Sequence, residues 1–490
     1  MPAPAAEPDL LILGGGSTAF AAALHAADLG KSALVIEGRL IGGTCANRGC
    51  LPSKHLIEAA RLHYESAWPR FTALTPLQQP VNWAALLEQK DALVYTYRQQ
   101  HYERLLEEVP GLSLLAGQAR FLSPHEIAVA RPNGDHQRLR ASRILIATGS
   151  RPYLPPIPGL QDVPYLTSDW LSTPDDPWQT SLRQQPRSLL IIGGGAIALE
   201  LGQLLLRLGT HVTLLVRRPT VLADSSWEPE LRQALTEQLQ AEGLQLLTQV
   251  QVLRVGAGPA GVEVTIQDGA QQRTLEAERL LIATGRRPNS EHLALERAGV
   301  AVDAQGAIRV DATLRTTVPH IWAAGDVIGT AWGNQFATPV GAADGRLAAH
   351  NALSGEPARP VDHRVIPRCL FTDPPFASVG LTEAQAQAAG LACACRVLPV
   401  SLVPRAGAIE DRRGLIKMVI ERSSRRVLGV SLLARNAEEV IHEAAMALRF
   451  GATLEDFTEL IHVYPTMAEA LKLVALSFTR DVHLLSCCAS

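Results

Sequence analysis

No stretch of the 490-residue sequence stays apolar for the roughly 18–20 residues a helix needs to cross a bilayer, so no membrane-spanning helix is expected. No block of Lys and Arg is present either, and a net charge of −3 is too weak a field to track nucleic-acid phosphates. The N-terminus lacks a basic region ahead of an apolar core; Met1 to Pro8 is short and Ala/Pro-rich and leads straight into the strand-like Asp9-Leu-Leu-Ile-Leu13, which reads as the start of a cytoplasmic protein. Cysteine is scarce. The seven present are an odd number, grouped as a close pair, a Cys-x-Cys and an adjacent pair, which is not a secreted disulfide framework. Some of these thiols are expected to do chemistry.

What is present is a chain with 47% hydrophobic residues, 38 Gly and 32 Pro, long enough for about three domains. It repeats itself. Leu11-Ile-Leu-Gly-Gly-Gly-Ser-Thr-Ala19 returns as Leu190-Ile-Ile-Gly-Gly-Gly-Ala-Ile-Ala198, each a strand, a GxGxxA turn and a helix. Each unit also closes on an apolar strand with Ala-Thr-Gly, at Ile144 to Gly149 and Leu280 to Gly285. In such a turn the first glycine (Gly14, Gly193) makes the bend, and the second (Gly16, Gly195) lets backbone approach a pyrophosphate at a helix N-terminus. Two ligand-free Gly-rich turns would leave the duplication unexplained.

The units differ at the end of their second strand, where ribose is recognised. The first has Glu37, suited to the unphosphorylated ribose of FAD; the second has Val216 followed by Arg217 and Arg218, which suit the 2′-phosphate of NADPH unless they are merely solvated. Ile321-Trp-Ala-Ala-Gly-Asp326 is a strand ending in small residues and a carboxylate, which makes Asp326 a candidate for the flavin ribityl chain. Beyond the Gly/Pro-rich stretch from Ser354 to Pro360, alternating strands (Gly414 to Glu421, Arg426 to Leu433) and an amphipathic helix (Ala437 to Phe450) predict a third domain. The expected class is therefore α/β, with two Rossmann-like dinucleotide-binding domains, for FAD and NADPH, and a C-terminal α+β domain. Its predicted boundaries are 1–155 plus 286–358 for FAD, 156–285 for NADPH, and 359–490 for the last domain.

Between the first unit and the next helix lies Gly42-Gly-Thr-Cys45-Ala-Asn-Arg-Gly-Cys50-Leu-Pro-Ser-Lys54. The spacing allows a disulfide, and thiols near a helix N-terminus are good candidates for exchange chemistry. A small loop staple or half of a zinc site are the alternatives, but no second Cys-x-x-Cys pair or nearby His follows. Two dinucleotide units with a dithiol between them outline an electron path from NADPH through flavin to disulfide.

The GGTC....GC.PSK segment, both GxGxxA turns, both ATG boxes and AAGD together resemble the class I pyridine nucleotide-disulfide oxidoreductases, over nearly the whole length from Asp9 to Ser490. The resemblance implies that Cys45 is the interchange thiol, that Cys50 contacts the flavin and that Lys54 pairs with Glu200 beside it. It further implies that Ala19, Thr44, Ala119 and the backbone near Ala337 line FAD, and that a homodimer forms through the C-terminal domain. Members that reduce small disulfides carry a His-Pro-Thr motif there. Here Tyr464-Pro-Thr-Met-Ala-Glu469 replaces the His with a phenol, a poor base at neutral pH, and His462 is the nearest substitute.

The end of the chain, Leu485-Ser-Cys487-Cys488-Ala-Ser490, resembles the branch of that family that reduces mercuric ion, in which a terminal thiol pair hands Hg(II) to the redox pair of the opposite subunit. Soft thiolate ligands suit a soft metal. On this resemblance Cys45, Cys50, Cys487 and Cys488 are the metal ligands, with Tyr102 and Tyr464 flanking the inner pair; a core-facing Tyr102, and an incidental tail or a redox relay at Cys487-Cys488, are the other readings. The loop departs from the pattern at Ala46 and Arg48, and no GMTCxxC segment is present, so Hg(II) is expected to arrive directly or as thiol complexes. Reduction of a small-molecule disulfide is the alternative function. Cys369, Cys393 and Cys395 read as ordinary strand cysteines.

Overall fold

A computed structural model describes residues 7–178 and 182–484. The chain begins with strand β1 (Leu10–Leu13), every residue of which is fully buried. Such an unbroken apolar run is what a strand covered on both faces of a parallel sheet requires, and each of these side chains contributes about 1.5–3 kcal/mol when removed from water. Helix α1 (Ser17–Asp28) follows the glycine turn, then β2 (Ala33–Glu37), which pairs parallel to β1. Next come the short helix α2 (Gly43–Arg48) and the long α3 (Cys50–Ala67), then β3 (Leu112–Ala116) and β4 (Ile144–Ile146).

The motif then repeats. Strand β5 (Ser188–Ile192) leads through the second glycine turn into α4 (Ala196–Arg207) and β6 (His211–Val216). With β7 (Gln245–Thr248) and β8 (Arg279–Ile282) these form a four-stranded parallel sheet in the order β7-β6-β5-β8. The chain afterwards returns to the first sheet: β9 (Ile321–Ala323) pairs parallel with β4, giving the order β9-β4-β1-β2-β3. Helix α5 (Thr338–Leu353) packs along α1, where Gly341 and Gly345 meet Thr18; a methyl group on Gly345 would lie 2.1 Å from the Thr18 carbonyl oxygen.

The C-terminal part is an antiparallel sheet of β10 (Arg368–Leu370), β11 (Phe376–Gly380), β12 (Cys393–Pro399), β13 (Leu415–Glu421) and β14 (Val427–Leu433) in the order β10-β11-β14-β13-β12. Helix α6 (Ala437–Arg449) covers β11 and β14, and α7 (Glu469–Leu476) packs on β12 and β13. The strands and helix expected here from the sequence begin or end one residue inside the predicted bounds. Charge joins this sheet to the second unit. Arg207, almost wholly buried, lies 2.7 Å from both Glu242 and Asp373, and buried Lys417 contacts Glu228, Glu230 and Glu383 at 2.9, 3.0 and 2.8 Å. Among the described residues no helix is long and apolar enough to cross a membrane.

Candidate active site

The first glycine turn opens into a cavity of about 800 Å³. Gly14 has φ +107, and a Cβ there would lie 2.4 Å from the Ala147 carbonyl oxygen, so the bend admits only glycine. Gly16 caps the N-terminus of α1 and leaves that end open to the cavity. Glu37, at the end of β2, accepts from the backbone N–H groups of Gly15 and Arg39 at 2.7 and 2.6 Å. Burial pushes its carboxyl above the usual range, and those two N–H groups pull against that rise. Thr44, Cys45, Ala119, Asp326 and Ala337 also line the cavity, and Ser150 donates to Asp326 at 2.5 Å. A glycine cradle at a helix N-terminus, a ribose-facing carboxylate and a second carboxylate further along fit a flavin dinucleotide.

Ala19 is fully buried on the inner face of α1, packed in the core with Leu10 to Leu13. At the third position of GxGxxA, one turn into the helix, smallness serves close packing on the sheet.

Cys45 sits in α2 and Cys50 opens α3, and the turn between them brings the two free thiols close enough to influence each other's ionisation. Donation from Cys45 brings Cys50 down to about 6, with Thr338 and the Lys54 charge acting the same way against burial; Cys45 moves up for the same reason. Thr338, the first residue of α5, places its Oγ1 3.6 Å from Cys50 Sγ. The interaction between the two thiols favours the thiolate at Cys50 over Cys45.

One turn into α3, Lys54 donates to Glu200 of α4 at 2.7 Å. The other Glu200 oxygen accepts from the Phe371 backbone N–H at 2.8 Å, and the ammonium lies over the Phe371 ring at 4.6 Å. Burial disfavours the Lys54 charge, but Glu200 more than offsets it and the ammonium titrates above its ordinary range. Tyr102 approaches the same loop. Its ring packs edge-on against Phe20 at 5.0 Å and touches the space above Gly42, its hydroxyl is 3.5 Å from Ser17 Oγ, and burial raises its phenol.

With this geometry in view, comparison with known proteins is decisive. The family described as "Pyridine nucleotide-disulphide oxidoreductase" matches residues 8–353, and its dimerisation domain matches residues 366–475. The chain belongs to that family. Mercuric reductases are similar along its whole length: that of Streptomyces lividans is 42% identical, covering 98% of both chains, and that of Staphylococcus aureus is 40% identical, covering 98% of this chain and 84% of the relative. Among solved structures, the Cu(II) complex of the HOCl-induced flavoprotein disulfide reductase RclA from Escherichia coli superimposes with a TM-score of 0.84 at 28% identity, covering 97% of this chain and all of that one.

As in the first unit of this oxidoreductase, the second unit builds its turn on Gly193, where a Cβ would lie 2.2 Å from the Ala283 carbonyl oxygen, and Gly195 caps α4. Arg217 and Arg218 follow Val216 at the mouth of that turn, exposed, with no ion pair among the described residues. Tyr464 is half exposed on the surface of the dimerisation domain, beside the exposed apolar side chains of Ile461 and Val463. His462 is held by Glu443 at 3.0 Å. Cys487 and Cys488 lie outside the described residues. Cys369, Cys393 and Cys395 are strand residues; burial raises the first, and burial with Glu383 pushes Cys395 up to about 11.

Sequence reasoning missed Thr338, Phe371 and Arg39, and took Arg48 only as a departure inside the redox loop; both arginines are mostly buried beside Asp169, and Arg39 also pairs with Asp176. Thr338, Phe371 and Arg39 belong to no local motif, although Ala-Thr-Pro at 337–339 does mark a helix start.

Proposed function

We propose that the chain is a homodimeric, cytoplasmic mercury(II) reductase, which takes two electrons from NADPH through FAD and delivers them to Hg(II) held by Cys45 and Cys50. The observation that carries this reading is the Cys45/Cys50 dithiol beside the dinucleotide cavity and the Lys54–Glu200 pair, in a chain similar end to end to mercuric reductases. Residues 1–155 and 286–358 form the FAD domain, 156–285 the NADPH domain, and 359–490 the dimerisation domain with its thiol tail.

When bound, FAD supplies the exchange between a two-electron hydride donor and the thiol site. The chain's own residues do the rest. Gly14, Gly16, Glu37 and Asp326 hold the dinucleotide, Gly193, Gly195, Arg217 and Arg218 hold NADPH, and the Lys54–Glu200 pair keeps a positive charge beside Cys50. Cys487 and Cys488 of one subunit receive Hg(II) from a low-molecular-weight thiol complex and pass it by thiolate exchange to the Cys45/Cys50 pair of the other, flanked by Tyr102 and Tyr464. One NADPH supplies the electron pair that converts Hg(II) to elemental mercury; the proton left by its hydride returns Cys45 to a thiol, and Cys50 is released as the thiolate. Neutral mercury is a poor acceptor for thiolate ligands and leaves.

Exposed Ile461, Val463, Phe450 and Met446 support an apolar interface on the dimerisation domain, which brings Tyr464 toward a partner. The absence of a histidine at position 464 weighs against small disulfides as substrate. Mercury vapour released by the Cys45→Ser and Cys50→Ser variants tests the reading. Both should fall to background, and vapour release by either variant would refute the thiol pair as the site of reduction.

A further inference from the structure

Taking the first unit as the FAD site, we propose that Arg39 and Arg48 form a two-guanidinium clamp for the adenosine diphosphate half of the flavin dinucleotide, and so select FAD over FMN. Arg39 lies two residues beyond the ribose carboxylate Glu37, and Arg48 ends α2. Both side chains line the cavity together with Glu37 and the open N-terminus of α1, which is the end suited to ribose and pyrophosphate. The flavin end is elsewhere, near Thr338 and Cys50.

The two arginines are held in place. Arg39 donates from Nε to Asp176 at 2.7 Å and from Nη1 to Asp169 at 2.8 Å, while Arg48 Nε stands 3.6 Å from Asp169. Their side chains are only 8% and 11% exposed. Yet Arg39 Nη2 and Arg48 Nη1 are both buried without a hydrogen-bond partner. A guanidinium donor in such surroundings requires an acceptor, and two on one wall are a pattern that side-chain ion pairing alone leaves incomplete. Asp169 and Asp176 are already committed to other guanidinium nitrogens, and Glu37 to backbone N–H groups. Phosphate and ribose oxygens of a dinucleotide are acceptors of the right kind, because a rigid planar fork pairs best with them. Trp178, with Arg39 stacked over it at 4.9 Å, adds an exposed aromatic face on the same wall for the adenine.

The test is titration of the full-length, flavin-stripped chain with FAD, FMN and ADP, followed by flavin fluorescence and calorimetry, for the wild type, Arg39→Gln, Arg48→Gln and Gly16→Val. Each arginine variant should bind FAD and ADP about tenfold more weakly, the loss expected for one hydrogen bond to a charged group, with FMN affinity unchanged. Arg39→Gln also leaves Asp169 and Asp176 without their buried partner, so its flavin-free form should melt lower, whereas Arg48→Gln, whose Nε stands 3.6 Å from Asp169, should match wild type and is the deciding variant. Unchanged FAD and ADP affinity, an equal loss for FMN, or a lowered flavin-free midpoint of Arg48→Gln that accounts for its loss would each overturn the clamp. Gly16 has ordinary backbone geometry, and a Cβ there meets only Gly43 at 3.6 Å, so Gly16→Val should fold but exclude the dinucleotide. Normal FAD binding by that variant would refute the site assignment itself, whereas its loss alongside unaffected arginine variants would refute only the clamp.

Discussion

Lys54 and Glu200 meet at 2.7 Å and join the helix that begins with Cys50 to the helix that opens the second dinucleotide unit. The pair therefore links the thiol site to the hydride-donor side of the molecule. Replacing Lys54 with Met leaves Glu200 largely buried with only the Phe371 N–H as partner. Breaking a buried pair by removing one member costs about 3–5 kcal/mol, so the variant should melt at lower temperature. Its flavin should also be reduced by NADPH at least about tenfold more slowly in stopped-flow measurements, since one lost charge contact is worth about a decade in rate. A full-rate variant would show that the pair is structural only.

Cys50 at about 6 against an ordinary thiol near 9 makes a definite statement about pH. The thiolate should be the main form of Cys50 at neutrality in the reduced enzyme and be lost as pH falls through about 6, which absorbance of the thiolate or its alkylation rate will follow. Thr338→Val removes a hydrogen bond that favours the charged form, so its midpoint should move up. A midpoint that stays in place, or moves down, would remove Thr338 from the account.

The exposed Arg217 and Arg218 should set coenzyme choice. Changing them to Glu and Val should cut kcat/KM for NADPH by about a hundredfold, from two lost charge-assisted contacts, while NADH improves or holds. Steady-state rates with both coenzymes decide it, and an unchanged preference would leave the arginines as solvated surface.

Much of this site was legible in the sequence because its chemistry is written locally. The two glycine turns, the Cys45/Cys50 loop, Glu37, and Lys54 one turn into its helix each sit inside a short motif whose spacing fixes their geometry. The role of Ala19 was less legible, because the third position of the turn is small for two reasons, ligand approach and helix packing, and the sequence does not separate them. Thr338 reaches Cys50 from 288 residues away, and the acids that hold Arg39 lie 130 and 137 residues further on. Such contacts are made by the fold, and a single sequence records no pairing between them.

The thiol tail supplies a separate prediction. Replacing Cys487 and Cys488 with Ala should slow turnover of Hg(II) presented as a dithiol chelate, while leaving reduction of the flavin by NADPH at its normal rate. Equal turnover of the chelate by tail variant and wild type would exclude the tail from delivery.

The central claim is tested most directly by NADPH oxidation with the purified protein in excess thiol, with and without Hg(II), alongside oxidised glutathione and lipoamide. The account predicts NADPH oxidation that depends on Hg(II) and is matched by release of volatile elemental mercury. Turnover with an organic disulfide and none with Hg(II) would contradict it, and would direct attention to His462 as the base that Tyr464 cannot be.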